Sequence, residues 1–298
     1  MAEPAATLRE SPAPTGDAVT ARPARPPTPS PATGVRGRQQ SALGRLRGDI
    51  DPKLRTGLSV LGLVLLIGGW QLLAGRSSST LLPTPLETWN GGVDLYRGGE
   101  LVGDITASSQ RVAIGYGLSL VIGIVLGVLI GSFRSVEALT TSPIGFLRYI
   151  PASALGSLFL LWLGIDEAPK IALIVVGTVF YNILMIADVA AGVPRQLVNA
   201  AYTLGAGRWR VLRQVVLPHS VPGIIDVARI NLAAAWLMLV VSELLAAESG
   251  LALRIFSLYR ARNVEGMFAL LIIFGIIGAV SDIALRALRR RTSSWADA

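Results

Sequence analysis

Cysteine is absent from this 298-residue chain. Without thiols it has no disulfide and no thiolate metal site, though nothing follows about its compartment. Charge is scarce too: 15% of residues are charged, against about a quarter in ordinary soluble domains. Together with several long apolar runs, that scarcity excludes a soluble globular domain and puts most of the chain in lipid. Histidine occurs once, as His219, with no metal-ligand neighbour in sequence, so no metal site is expected and no role is assigned to it. There is no Gly-x-x-x-x-Gly-Lys-Ser/Thr sequence, so the chain has no P-loop in which to hold ATP. No nucleophile–base constellation is evident either, and no catalytic residue is expected.

Aromatic residues are missing before Trp70, whereas eight of the first 31 residues are proline. Such a segment cannot bury enough apolar surface to offset its ordering entropy, so residues 1–52 are expected to be a disordered Pro/Ala/Arg-rich tail. It has no apolar h-region and is not a signal peptide. Its arginines, with Lys53 and Arg55, should hold this end in the cytoplasm. The formal net charge of +8 reads through the same rule. The basic residues are not gathered with aromatics on one folded face, so nucleic acid is not an expected partner.

Residues 53–298 read as an all-α integral membrane domain. Six spans are predicted, at about 57–74, 112–131, 139–163, 171–189, 221–247 and 267–285. Eighteen helical residues reach about 27 Å, enough for a hydrocarbon core of about 30 Å. Pro143, Arg148 and Pro151 interrupt the third span. It is counted because an even number places the basic tail and the cluster Arg286, Arg289, Arg290 and Arg291 on one side, making both termini cytoplasmic.

Between spans four and five lies Asn199 to Pro218, reading NAAYTLGAGRWRVLRQVVLP. With Arg195, Arg208, Arg210 and Arg213, the charge bias places it inside. Asn199, Ala200 and Ala201 fall on a short helix after Pro194, their small side chains allowing another surface to approach. Gly205 and Gly207 bracket a turn. Trp209, Leu212, Val215 and Val216 then recur at helical spacing, and Pro218 is expected to end that helix. Composition alone leaves two readings open: an interfacial helix on anionic lipid, or a docking surface.

Gly115, Ser119, Gly123, Gly127 and Gly131 fall every fourth residue in span two. They make a groove of small side chains for close helix packing, within the chain in preference to a dimer seam. Arg148, Asp188, Arg229, Glu243 and Asp282 are the ionisable residues at membrane depth. A charge near the bilayer centre costs about 2.5 kcal/mol or more, so each needs a partner or water. Arg148 and Glu243 are the candidates for a translocation path. The alternative, slightly favoured, is that they pair and tie span three to span five.

The Asn199 stretch resembles the EAA motif of bacterial ABC-importer permeases: Glu-Ala-Ala, three residues, Gly, nine residues, Ile, one residue, Leu-Pro. Asn199, Ala200, Ala201, Gly205, Val215, Leu217 and Pro218 stand at that register, with Asn in place of Glu and Val in place of Ile. Further blocks are similar to the nitrate, sulfonate, taurine and bicarbonate group: Leu82-Pro83-Thr84-Pro85, then Ser109, Arg111, Val112 and Gly115-Tyr116. Arg148-Tyr149-Ile150-Pro151, Leu161-Trp162-Leu163-Gly164, Lys170, Ser242-Glu243 and Ser249-Gly250-Leu251 follow suit. The resemblance implies the type I ABC-importer permease fold, with Asn199, Ala200, Ala201, Gly205, Leu217 and Pro218 in a cytoplasmic coupling helix that docks on an ATPase. It implies a homodimer in the bacterial cytoplasmic (inner) membrane, two ATPase subunits holding ATP and Mg, and an extracytoplasmic substrate-binding protein. The solute would be a small anion, which a cation such as Arg148 would suit. The competing class is an ion-coupled secondary transporter or channel, which often shows an internal repeat; none is evident here.

Overall fold

The computed structural model describes residues 51–76 and 81–292. The expected disordered tail, residues 1–52, lies outside the described residues except for Asp51 and Pro52. Two compact units divide after Ser59. The described part of the first, 51–59, is the start of a helix, α1 (Pro52–Arg76). Everything below belongs to the second unit, from Val60.

The described residues are helical, with no strand among them. Four helices are each long and apolar enough to cross a bilayer: α1, α3 (Leu101–Ser132), α6 (Glu167–Ala191) and α11 (Val264–Thr292). A fifth crossing runs unbroken over Arg208–Ala246. The sixth is a bent pair, α4 (Arg134–Leu147) and the segment Ala152–Leu163, inclined at 77° to each other. That segment is a 3-10 turn followed by α5 (Gly156–Leu163). The sequence reads as a span over about 139–163 interrupted at Pro143, Arg148 and Pro151; of these, Pro143 sits inside α4 and leaves it intact. The break falls at Arg148–Pro151, because Pro151 has no N–H and disfavours helical geometry at Ile150. Observed spans otherwise run beyond the predicted ones; α3 starts at Leu101 rather than near Val112.

Two short helices occupy the expected outer loops. The first, α2 (Pro85–Arg97), opens with a capping box. Thr84 accepts from the Glu87 amide at 3.3 Å, and Glu87 accepts from the Thr84 amide at 2.7 Å. Those bonds hold the Glu87 carboxyl below its usual range. The Trp70 indole N–H donates to the Pro83 carbonyl at 3.0 Å, tying α1 to the start of α2.

The centre of the bundle is the α3–α6 seam. Gly115, Ser119, Gly123, Gly127 and Gly131 all face α6 of the same chain. A methyl group on Gly123 would lie 2.7 Å from Asn182 Cβ, and one on Gly127 2.8 Å from the Ile183 carbonyl oxygen. The stripe therefore serves packing inside the chain, where only glycine lets the two backbones approach this closely. Polar groups fill the seam at mid-depth. Asn182 donates to Ser119 Oγ at 2.9 Å, and Asn231 donates to Asn182 Oδ1 at 2.8 Å. The Tyr116 hydroxyl donates to the Ala228 carbonyl at 2.6 Å. Each satisfies a group that would otherwise be stranded in an apolar interior.

Candidate functional site

The stretch between α6 and the fifth crossing forms an elbow. Its first limb is α7 (Arg195–Thr203). Its second opens as α8 (Arg208–Val211), passes through a π-helical turn at Leu212–Val216 and continues as α9 (Leu217–Ala246). The bend is made by Gly205, whose φ is +79°. Its amide donates to the Tyr202 carbonyl at 2.9 Å, and the Ala206 amide donates to the Ala201 carbonyl at 3.0 Å. This is the Schellman pattern, in which a left-handed residue after a helix lets the next amides satisfy its last carbonyls. Any other residue at 205 would cost roughly 1–2 kcal/mol in the left-handed region.

The six coupling candidates divide between two faces. Asn199, Ala200 and Gly205 are exposed, and so is Pro218. Ala201 and Leu217 are half-buried and pack against the interior cluster of Val128, Ile186, Val193, Val211 and Val216. One residue along a helix turns about 100°, so Ala200 faces out while Ala201 turns partly toward the interior. Val215 also packs inward. Trp209 leaves the expected apolar stripe; it is 60% exposed, its ring centroid 5.6 Å from that of Phe133.

Pro218 does not end the helix. Both it and Pro222 sit within the continuous crossing. A proline ring presses on the carbonyl four residues back, here that of Gln214. Gln214 lies in the π-helical turn, where the wider backbone changes carbonyl register and relieves the clash.

A second polar assembly lies at the opposite end of the same helices. Glu243 is fully buried and does not meet Arg148. Its Oε1 accepts from Ser108 Oγ at 2.6 Å and from Arg111 Nη1 at 2.9 Å; its Oε2 accepts from the Ala252 amide at 2.8 Å. Arg111 also donates to both oxygens of Glu167, at 2.7 and 2.9 Å. Lys170 adds a third bond to Glu167, at 2.8 Å. Asp104 accepts from the Gly250 amide at 2.9 Å and from Arg254 at 2.7 Å. Arg254 belongs to α10 (Leu251–Arg260), the second outer-loop helix. Gly250, with φ of +137°, lies so close to Glu243 that a side chain there would strike its carboxylate.

The expected Arg148–Glu243 pair is thus replaced by Arg111–Glu243. Arg148 is exposed at the break in span three, its guanidinium 4.9 Å from the Tyr149 ring centroid and bonded to the Tyr149 hydroxyl at 3.0 Å. The signal that could have found Arg111 is the glycine stripe itself. Continued toward the start of α3 at helical spacing, it passes through Arg111, Ser108 and Asp104, all buried. Of the other deep charges, Arg229 bonds Asp282 at 2.9 Å, a structural pair between α9 and α11, while Asp188 is exposed.

The described residues thus form a bundle of apolar, membrane-length helices with an elbow turned at a left-handed glycine. Residues 119–294 match the family of binding-protein-dependent transport system inner membrane components, and the chain belongs to it. It is 36% identical over 239 residues to a probable ABC transporter permease of Brucella melitensis, covering 80% of this chain and 97% of that one. It is 33% identical to the putative aliphatic sulfonates transport permease SsuC of Bacillus subtilis, covering 78% of this chain and 84% of that protein. Among solved structures, an inward-facing conformation of the MetNI methionine ABC transporter has the same fold, with a TM-score of 0.58 at 21% identity. That match covers 65% of this chain and 96% of the other. The chain is an ABC-importer permease, a multi-pass inner-membrane protein of type I fold, which sets aside the ion-coupled secondary transporter or channel.

Proposed function

We propose that this chain moves a small anionic solute, of the sulfonate/taurine, nitrate or bicarbonate type, through alternating access driven by a separate ATPase. Two ATPase subunits, holding ATP and Mg, act on a homodimer of the permease, and an extracytoplasmic binding protein delivers the solute. Residues 53–298 form the permease domain and 1–52 a cytoplasmic tail, with both termini inside, as the arginine bias of the sequence favours. The sulfonate-type assignment is supported by the name of the Bacillus subtilis relative. It is also supported by Arg148, exposed beside freed backbone at the broken span, where a cation suits an anion in transit.

One observation carries the coupling assignment. The elbow presents Asn199, Ala200 and Gly205 outward while Ala201, Val215 and Leu217 lock it to the interior. A surface docked on α7 would push directly on the α6–α9 packing. The test is a pair of substitutions at Gly205. Among the described residues, nothing beyond its two chain neighbours lies within 4 Å of where a Cβ would stand at that position. Gly205→Ala and Gly205→Trp therefore share the same backbone strain and differ only in what meets a partner. Gly205→Ala should keep ATPase-driven uptake in proteoliposomes; Gly205→Trp should abolish it while inserting normally. Equal uptake by the two variants would overturn the coupling assignment. The solute is identified by the ligand that the binding protein encoded alongside this chain retains on purification.

A further inference from the structure

A cavity of about 290 Å³ lies behind the elbow, between the α3–α4 joint and the limb α7. Arg134, Arg195 and Arg208 line it, and no Asp or Glu does. Arg134 is engaged by Glu137 at 2.7 Å. The side chains of Arg195 and Arg208 make no ion pair or hydrogen bond among the described residues. Ser132 adds a hydroxyl oxygen that is buried and without a partner. Asn199 completes the wall, at the position where the motif carries a glutamate. Two unpaired cations and an unpartnered hydroxyl thus meet in a cavity that no carboxylate lines among the described residues. A buried hydroxyl without a partner is destabilising, so an occupant that accepts its hydrogen bond is favoured.

We infer that this cavity receives a carboxylate from the docked ATPase: an Asp or Glu side chain entering between Arg195 and Arg208, within reach of the Ser132 hydroxyl. The inference rests on the coupling reading above. Guanidinium groups match a carboxylate in shape as well as charge. A protein, rather than a free ion, is the occupant because the same elbow exposes Leu204 at 87% and Trp209 at 60%, beside exposed Leu197 and Tyr202. A small ion leaves that apolar surface in water, whereas a protein face covers it. The charge that Asn199 does not supply is then provided in reverse, with the permease holding the arginines and the ATPase the acid.

The test measures affinity between the full-length permease in phosphatidylcholine nanodiscs and its cognate ATPase, at low and high salt. Arg195→Ala and Arg208→Ala should each weaken binding about tenfold at low salt, and the double variant should flatten the salt dependence. An acid-to-arginine substitution on the ATPase face should restore binding to Arg195→Glu. Gly205→Trp serves as the separate control for docking itself. If the double variant keeps wild-type affinity and salt dependence while Gly205→Trp loses docking, the cavity assignment is overturned and coupling stands. If Gly205→Trp also docks normally, the coupling reading is the one that fails. The competing occupant is an anionic lipid headgroup. Loss of retained phosphatidylglycerol by native mass spectrometry, with ATPase affinity unchanged, would assign the cavity to lipid and overturn the proposal.

Discussion

Compare the two ends of the α3–α6–α9 bundle. At one, Glu243, Arg111, Asp104 and Lys170 are all buried, and every one is bonded to a side chain or amide of another element or of its own helix. At the other, Arg195, Arg208, Arg210 and Arg213 are exposed, and the elbow leaves Leu204 and Trp209 in the open. The closed end is a finished piece of protein interior. The open end has polar and apolar groups whose natural complement is another molecule. In a membrane protein this contrast locates function well, because burying a charge among apolar helices is costly unless its partners are already in place.

The largest effect is expected from breaking the closed end. Glu243→Ala leaves the buried Arg111 without one of its two carboxylate partners and frees the amide of Ala252. It should cost about 3–5 kcal/mol, seen as a lower melting temperature and poor recovery in detergent. A variant as stable as the parent would show that the closed end is no lock and would erase the contrast. The next effect lies on the seam joining the two ends. Gly127→Leu drives a side chain into Ile183 and Ile186 and should cost about 1–3 kcal/mol, or more if the backbone cannot shift. Gly117→Leu is the control, because nothing stands within 4 Å of that position, and its melting temperature should match the parent's. The smallest stability effect is expected at Arg148. Arg148→Ala loses only exposed contacts with the adjacent Tyr149 and should change stability by less than about 0.5 kcal/mol while lowering anion uptake. A large fall in stability would move Arg148 from the path to the framework.

Much of this was legible in one dimension. The spacing of Gly115, Ser119, Gly123, Gly127 and Gly131 states that a helix packs there, since a period of four on a helix is a face. The run from Asn199 to Pro218 states an elbow, because a glycine between two helical patterns is a left-handed stop. What failed to show was pairing. Membrane depth alone matches Arg148 to Glu243, yet Arg111 reaches Glu243 because the glycine stripe brings α3 close to α6. The interruption at Pro151 is legible in the sequence, whereas the continuity through Pro218 is not. A proline's effect depends on whether the neighbouring turn can widen, and only at 212–216 does it do so.

The sequence by itself determined that the chain crosses a membrane about six times, where its glycine turn lies and which helix face is narrow. These follow from local rules of hydropathy, period and backbone freedom. Only the tertiary structure decided which charges meet, which of two adjacent alanines faces outward and which arginines are left without a counter-charge. Those depend on distances between residues up to 150 positions apart, such as Asp104 and Arg254, and no local pattern encodes such distances.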